Sequence, residues 1–175
     1  DAGIKMAGAV NYPLPLTIEN NFLPQYSSIP KEILEKSKLL FLNYPNNPTG
    51  AGANDEFFKE TVAFAKENNL VVSHDFAYSD ISFSGKSPSF LQAPGAKEVG
   101  IEIYTLSKTF NMAGFRIAFA VGNKEVISLL KGYIRASVGG TFGSVQDAVT
   151  YALLYSEKER GQLRKLYKER RDLVL

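Results

Sequence analysis

At 175 residues, with 45% apolar residues and 12% aromatics, the chain has the size and composition of one globular domain with a packed core. Twenty Lys plus Arg stand against 18 Asp plus Glu, a formal net charge of +2, and beyond the short Lys168–Arg171 cluster no basic block points to nucleic acid or a membrane surface as partner. The absence of Cys excludes disulfides and thiolate metal sites, no apolar run approaches the roughly 20 residues of a bilayer span, and the opening Asp1-Ala2-Gly3-Ile4-Lys5 lacks a signal-peptide layout, so a soluble protein of a reducing compartment, by default the cytoplasm, is expected.

Along the chain, the first 38 residues are rich in Pro and Asn and read as loop with one short strand at most. Leu39–Asn43 is the first clear apolar run bounded by polar residues, as strands are. Asp55–Asn69 follows as a helix: Phe58, Val62 and Ala65 share one face, and Asn54, Asp55 and Glu56 suit its N-terminal turn. Leu70–Ser73, Ile101–Leu106 and Ile117–Val121 complete the strands. The last two are separated by about ten residues, too few for a helical crossover, so the final strand is expected to be antiparallel or displaced. Three helices close the chain, Lys124–Arg135 with Val126, Leu129, Leu130 and Tyr133 inward, then Ser144–Leu154, then Lys158–Leu175. Strands alternating with helices predict an α/β fold, a three-layer sandwich around a mainly parallel mixed sheet. The chain has no initiating Met and its last helix has no stop signal, which suggests a piece of a longer protein.

Three segments at predicted strand ends, where open α/β sheets bind ligands, carry the chemistry. They are Asn43-Tyr44-Pro45-Asn46-Asn47-Pro48-Thr49-Gly50, His74-Asp75-Phe76-Ala77-Tyr78, and Thr105-Leu106-Ser107-Lys108-Thr109-Phe110-Asn111-Met112-Ala113-Gly114-Phe115-Arg116. Each alone has an ordinary explanation. Asn-Pro-Thr-Gly is a good turn, Asp75 could cap a local turn, and Ser107 with Lys108 could be a solvated loop. Together, N-P-T-G, D-x-x-Y and T-x-S-K with an Arg eight residues beyond the Lys resemble the class I/II aminotransferases of fold type I, in the family's order and over nearly the whole chain. Glu19–Pro24 and His74–Ser84 look closest to the branch containing LL-diaminopimelate and alanine-type aminotransferases.

The resemblance implies the large pyridoxal 5′-phosphate (PLP)-binding domain of such an enzyme, with residues 1–175 forming part of it and the N-terminal segment and C-terminal small domain lying outside. It implies that Lys108 holds the cofactor as a Schiff base and, once freed by substrate, moves the proton between Cα and C4′. It gives Asp75 to the pyridine nitrogen, where a carboxylate favours the protonated, electron-poor ring. It gives Asn47 and Tyr78 to the cofactor's 3′-oxygen, and Arg116, Thr105 and Ser107 to its phosphate. Thr105 departs mildly from the Ser common at that position, and the hydroxyl survives. Amino acid and 2-oxo acid substrates and a homodimer are implied as partners, with no metal.

Other outcomes stay open on these residues. The same lysine core serves carbon–sulfur β-lyases. An aminotransferase-like domain can also act as a non-catalytic PLP sensor in a regulator; a degenerate core that no longer binds cofactor is disfavoured, because the cofactor-contacting residue types named above are all present. His74 could orient its neighbour Asp75 or be an ordinary packed histidine. Gly139–Gly143 could reach a partner subunit or simply join two helices.

Overall fold

The computed structural model describes residues 2–175, and the chain divides into two compact units, Asp1–Lys38 and Leu39–Leu175. The first unit contains helices α1 (Ala2–Met6) and α2 (Lys31–Leu34) and single 3-10 turns at Ile18–Asn20 and Tyr26–Ser28. The short strand allowed for by the sequence is absent among its described residues. Pro13, Pro15, Pro24 and Pro30 cannot donate to a ladder, and Asn21 and Phe22 turn the chain through positive φ, 51° and 56°.

The second unit runs β1 (Leu39–Asn43), α3 (Asp55–Glu67), β2 (Val71–Asp75), α4 (Ala96–Val99), β3 (Gly100–Thr105), α5 (Leu106–Thr109), β4 (Ala118–Gly122), α6 (Lys124–Ser137), α7 (Gly143–Tyr155) and α8 (Glu157–Val174). The sheet order is β1-β2-β3-β4; the first three strands are parallel and β4 is antiparallel to β3, as its short connection requires. Helices flank this mixed sheet. Gly122 ends β4 at φ 138°, where an added Cβ would lie 2.4 Å from the Gly100 carbonyl oxygen, so only glycine allows the close approach to the start of β3.

Helix α3 begins at Asn54, whose side chain accepts a hydrogen bond from the Phe57 N–H, and it buries the expected Phe58, Val62 and Ala65 together with Phe57 and Thr61. Phe58 sits edge-on to His74 and Phe90, with ring centroids 5.1 and 5.9 Å away. Because strand side chains alternate, Leu40, Leu42, Val72, His74 and Glu102 share the face covered here, and Asn43, Asp75 and Thr105 share the other. A second cluster joins Leu106, Val149 and Ala152 to Tyr104, Phe110, Met112 and Ile117, seating α7 on α5.

Helix α6 departs from the sequence expectation. Leu129 and Tyr133, predicted inward, are 76% and 67% exposed, and Val126 and Leu130 are only half-buried. The apolar stripe is real, but among the described residues nothing covers its Leu129–Tyr133 half. No helix of the described residues is long and apolar enough to cross a membrane.

Candidate active site

The carboxyl ends of β1, β2 and β3 carry the three segments singled out by the sequence. At the end of β1, the Asn43 side chain donates to the Asp75 carbonyl at 3.1 Å and accepts from the Asn47 N–H at 2.9 Å. Asn46 closes the next turn: its side-chain oxygen accepts from the Thr49 hydroxyl at 2.7 Å, and its carbonyl accepts from the Gly50 N–H at 2.8 Å. This self-tied loop presents Asn47, whose amide donates to the Tyr78 hydroxyl at 2.8 Å.

Tyr78 stands three residues past Asp75, which ends β2. The Asp75 carboxylate accepts from the Ala77 N–H at 3.0 Å, so the local turn that sequence alone allowed does form. The Lys108 amine lies 5.7 Å from the centre of the Tyr78 ring. Residues from all three strand ends, Asn47, Tyr78 and Lys108, therefore meet, and Asn43 joins Asp75 to Asn47.

The Thr105 hydroxyl caps α5, accepting from the Ser107 N–H at 3.2 Å, and donates to the Ile117 carbonyl at 3.0 Å. Its proton is thereby committed, so at 2.9 Å the Ser107 hydroxyl is the donor of that pair. Arg116, next to Ile117, has left-handed φ of 50° and an exposed guanidinium that donates to the Ala113 carbonyl. Thr105 and Ser107 thus meet at the end of β3, and Arg116 adjoins them through the chain at Ile117, its guanidinium turned to the Ala113 carbonyl.

His74 does not touch Asp75. The two are consecutive in β2 and point to opposite faces, and His74 is fully buried with Nδ1 3.0 Å from Glu102 Oε2 and Nε2 3.1 Å from the Tyr44 carbonyl. Glu102 also accepts from the Ser89 hydroxyl at 2.7 Å and the Phe90 N–H at 2.8 Å. Its acceptor capacity is well used, as a buried carboxylate requires.

Two groups of polar residues escaped the sequence reading. Asn43 and Asn46 organise the loop that carries Asn47; the available signal was the Asn-rich run around a Pro turn. Asp80, Tyr104 and Thr109 form a hydrogen-bonded triangle beside the site. Burial pushes the phenols of Tyr104 and Tyr44 up to about 12 from the ordinary 10.0. A cavity of about 630 Å³ opens between the 44–53 loop and the 81–88 segment, with Asn47 and Tyr78 in its wall.

The whole chain, residues 1–175, matches the family model described as aminotransferase class I and II. It is 48% identical over 171 residues to Transaminase BacF of Bacillus subtilis (strain 168), a match covering 98% of this chain and 43% of that protein. It is 46% identical over 175 residues to LL-diaminopimelate aminotransferase of Moorella thermoacetica, covering 99% and 45% of the two. A solved structure of substrate-bound BacF superposes with a TM-score of 0.95 at 48% identity, over 98% of this chain and 44% of that one. The chain belongs to the class I and II aminotransferase family. That family depends on PLP, and the fold is that of the fold type I aminotransferases. The chain spans under half the length of these relatives.

Proposed function

We propose that residues 1–175 are the cofactor-binding part of a longer, PLP-dependent transaminase that moves an amino group between an amino acid and a 2-oxo acid. The observation that carries this reading is the meeting of Asn47, Tyr78 and Lys108 from three strand ends, with a 2.8 Å amide–phenol bond under the reach of the lysine. PLP, when bound, supplies an electron sink for the carbanion left when the substrate Cα proton departs.

The side chains suit that group. The Tyr78 hydroxyl accepts from Asn47, which leaves the phenol's own O–H and the second amide N–H as donors for the cofactor's 3′-oxygen. Asp75 supplies a carboxylate for the pyridine nitrogen, and its placement by Asn43 fixes its distance from Asn47. For the phosphate, the Arg116 guanidinium is planar and can hold two oxygens at once, and the Ser107 and Thr105 hydroxyls can donate once they turn from their present partners, the Thr105 oxygen and the Ile117 carbonyl. Lys108 anchors the cofactor and, when free, takes and returns the proton at the substrate Cα. The family resemblance supports a homodimer, and the composition supports a cytoplasmic location.

Borohydride reduction of the full-length protein incubated with PLP, followed by peptide mass mapping, is expected to place the pyridoxyl adduct on Lys108 and to leave the Lys108→Ala variant unlabelled. The holoprotein is expected to form a new amino acid from a 2-oxo acid acceptor. Unlabelled Lys108 in the wild type would overturn the reading. Pyruvate and ammonia released from a β-substituted amino acid, without transfer, would replace transamination by a lyase activity.

A further inference from the structure

Beside the proposed cofactor residues lies a polar cluster that none of their roles uses. The Asp80 Oδ2 atom accepts from the Tyr104 hydroxyl at 2.7 Å, from the Thr109 hydroxyl at 3.1 Å and from the Ser79 hydroxyl at 3.3 Å. Tyr104 and Thr109 are themselves 3.2 Å apart, closing the triangle, and Arg160 of α8 approaches Asp80 Oδ1 at 3.5 Å. The groups facing this carboxylate thus come from β3, α5 and α8, and Arg160 is the cation among them. Thr109 is almost completely buried. The Tyr104 phenol, held high chiefly by burial, stays a donor throughout the neutral and mildly alkaline range.

The positions of the three residues matter. Asp80 is two residues beyond Tyr78, and the intervening chain is wound tightly: Ser79 N–H donates to the Phe76 carbonyl and Ile81 N–H to the Tyr78 carbonyl. A shift at Asp80 is therefore passed to Tyr78. Thr109 directly follows Lys108 in the four-residue helix α5, and Tyr104 directly precedes Thr105, which caps that helix. One carboxylate consequently holds both the arm that carries Tyr78 and the arm that carries Lys108.

We propose that Asp80, through Tyr104 and Thr109, is a positioning residue that sets the Lys108 amine against Tyr78. The inference rests on the transaminase reading of the preceding section. It assigns Asp80 no contact with substrate or cofactor. Charge-assisted bonds to a shared, partly enclosed carboxylate hold geometry better than neutral ones, and misplacement of an anchoring group by about 1 Å can cost up to about a hundredfold in rate.

The test uses full-length protein loaded with PLP and three variants, Asp80→Asn, Thr109→Val and the double substitution. Borohydride labelling of Lys108 in the wild type is established first. The readouts are the pH midpoint of the absorbance of the lysine-bound cofactor, kcat and KM separately, and the melting temperature. Each single variant is expected to shift the midpoint by about half a pH unit or more and to lower kcat about tenfold with KM nearly unchanged. The double variant is expected to be little worse than the singles, because both remove the same tie. Variants that melt at a lower temperature yet keep the wild-type midpoint and kcat would overturn the inference and leave the transaminase reading intact. A wild type unlabelled at Lys108 would overturn both. If Asp80→Asn does not give a cooperative melt, Thr109→Val decides by the same criteria.

Discussion

His74 and Asp75 are neighbours in the chain and strangers in the fold. Alternation along β2 sends His74 into the layer beneath α3, where its partner is Glu102 on the adjacent strand, 28 positions away. Glu102 meets His74 Nδ1, the Ser89 hydroxyl and the Phe90 N–H together, so its removal leaves two buried groups and one half-buried hydroxyl without that partner. Glu102→Ala is expected to cost about 3–5 kcal/mol, read as a lowered urea midpoint with an unchanged slope. Sequence could place Asn47, Asp75, Tyr78 and Lys108 at or just after strand ends, because the motifs themselves spell their spacing. It could not show Asp80 with Tyr104 and Thr109, since polar contacts over 24 and 29 positions leave no periodicity behind them.

Among the elements, the four strands were legible as short apolar runs with polar or Gly/Pro borders, and Leu39–Asn43 falls where its composition places it. β2 differs, reaching Asp75 where its apolar character stops at Ser73, because pairing with β1 through Asn43↔Asp75 sets its end. Strand limits are thus a property of the ladder, and a single strand's residues state them only in part. Helix α3 was legible at both levels, its stripe and its cap. Replacing the capping Asn54 by Ala is expected to cost about 1 kcal/mol, seen as a drop in melting temperature with the far-ultraviolet dichroism of the folded protein unchanged. α6 shows the converse: a clear stripe in the sequence whose Leu129 and Tyr133 stay exposed, because periodicity predicts an apolar face and says nothing about what lies against it.

For the molecule as a whole, alkaline stability follows from two phenols. Tyr44 and Tyr104 keep their protons in the folded chain up to about 12, whereas in the unfolded chain they release them near 10.0. Between those values the unfolded state binds fewer protons than the folded one, so stability falls as pH rises through that window and their contribution is intact below it. Urea midpoints measured at steps from pH 9 to 12 are expected to decline over this range, and Tyr104→Phe should flatten the decline. A slope unchanged by that substitution would mean that other groups govern the alkaline limit. The fold class itself, a mixed sheet with one antiparallel strand, was readable from element order and one short connection, because both are written in sequence distance.

Helix α8 carries a row of arginines that read a segment far upstream. Arg164 donates to the Ser82 and Gly85 carbonyls, 82 and 79 residues earlier, Arg160 pairs with Asp80, and Arg171 lies 4.7 Å from the centre of the Phe83 ring. A ribosome adding about 5–20 residues per second takes roughly 4–16 s to deliver those partners after the segment has emerged. During that interval β1, α3 and β2 can already associate, and Asp80 can meet Tyr104 and Thr109, while residues 82–85 wait for their partners on α8. The stretch after Tyr78 therefore gains its contacts late in the synthesis of these residues, and nascent chains arrested before Arg160 are expected to be cut there by a protease more readily than the complete chain.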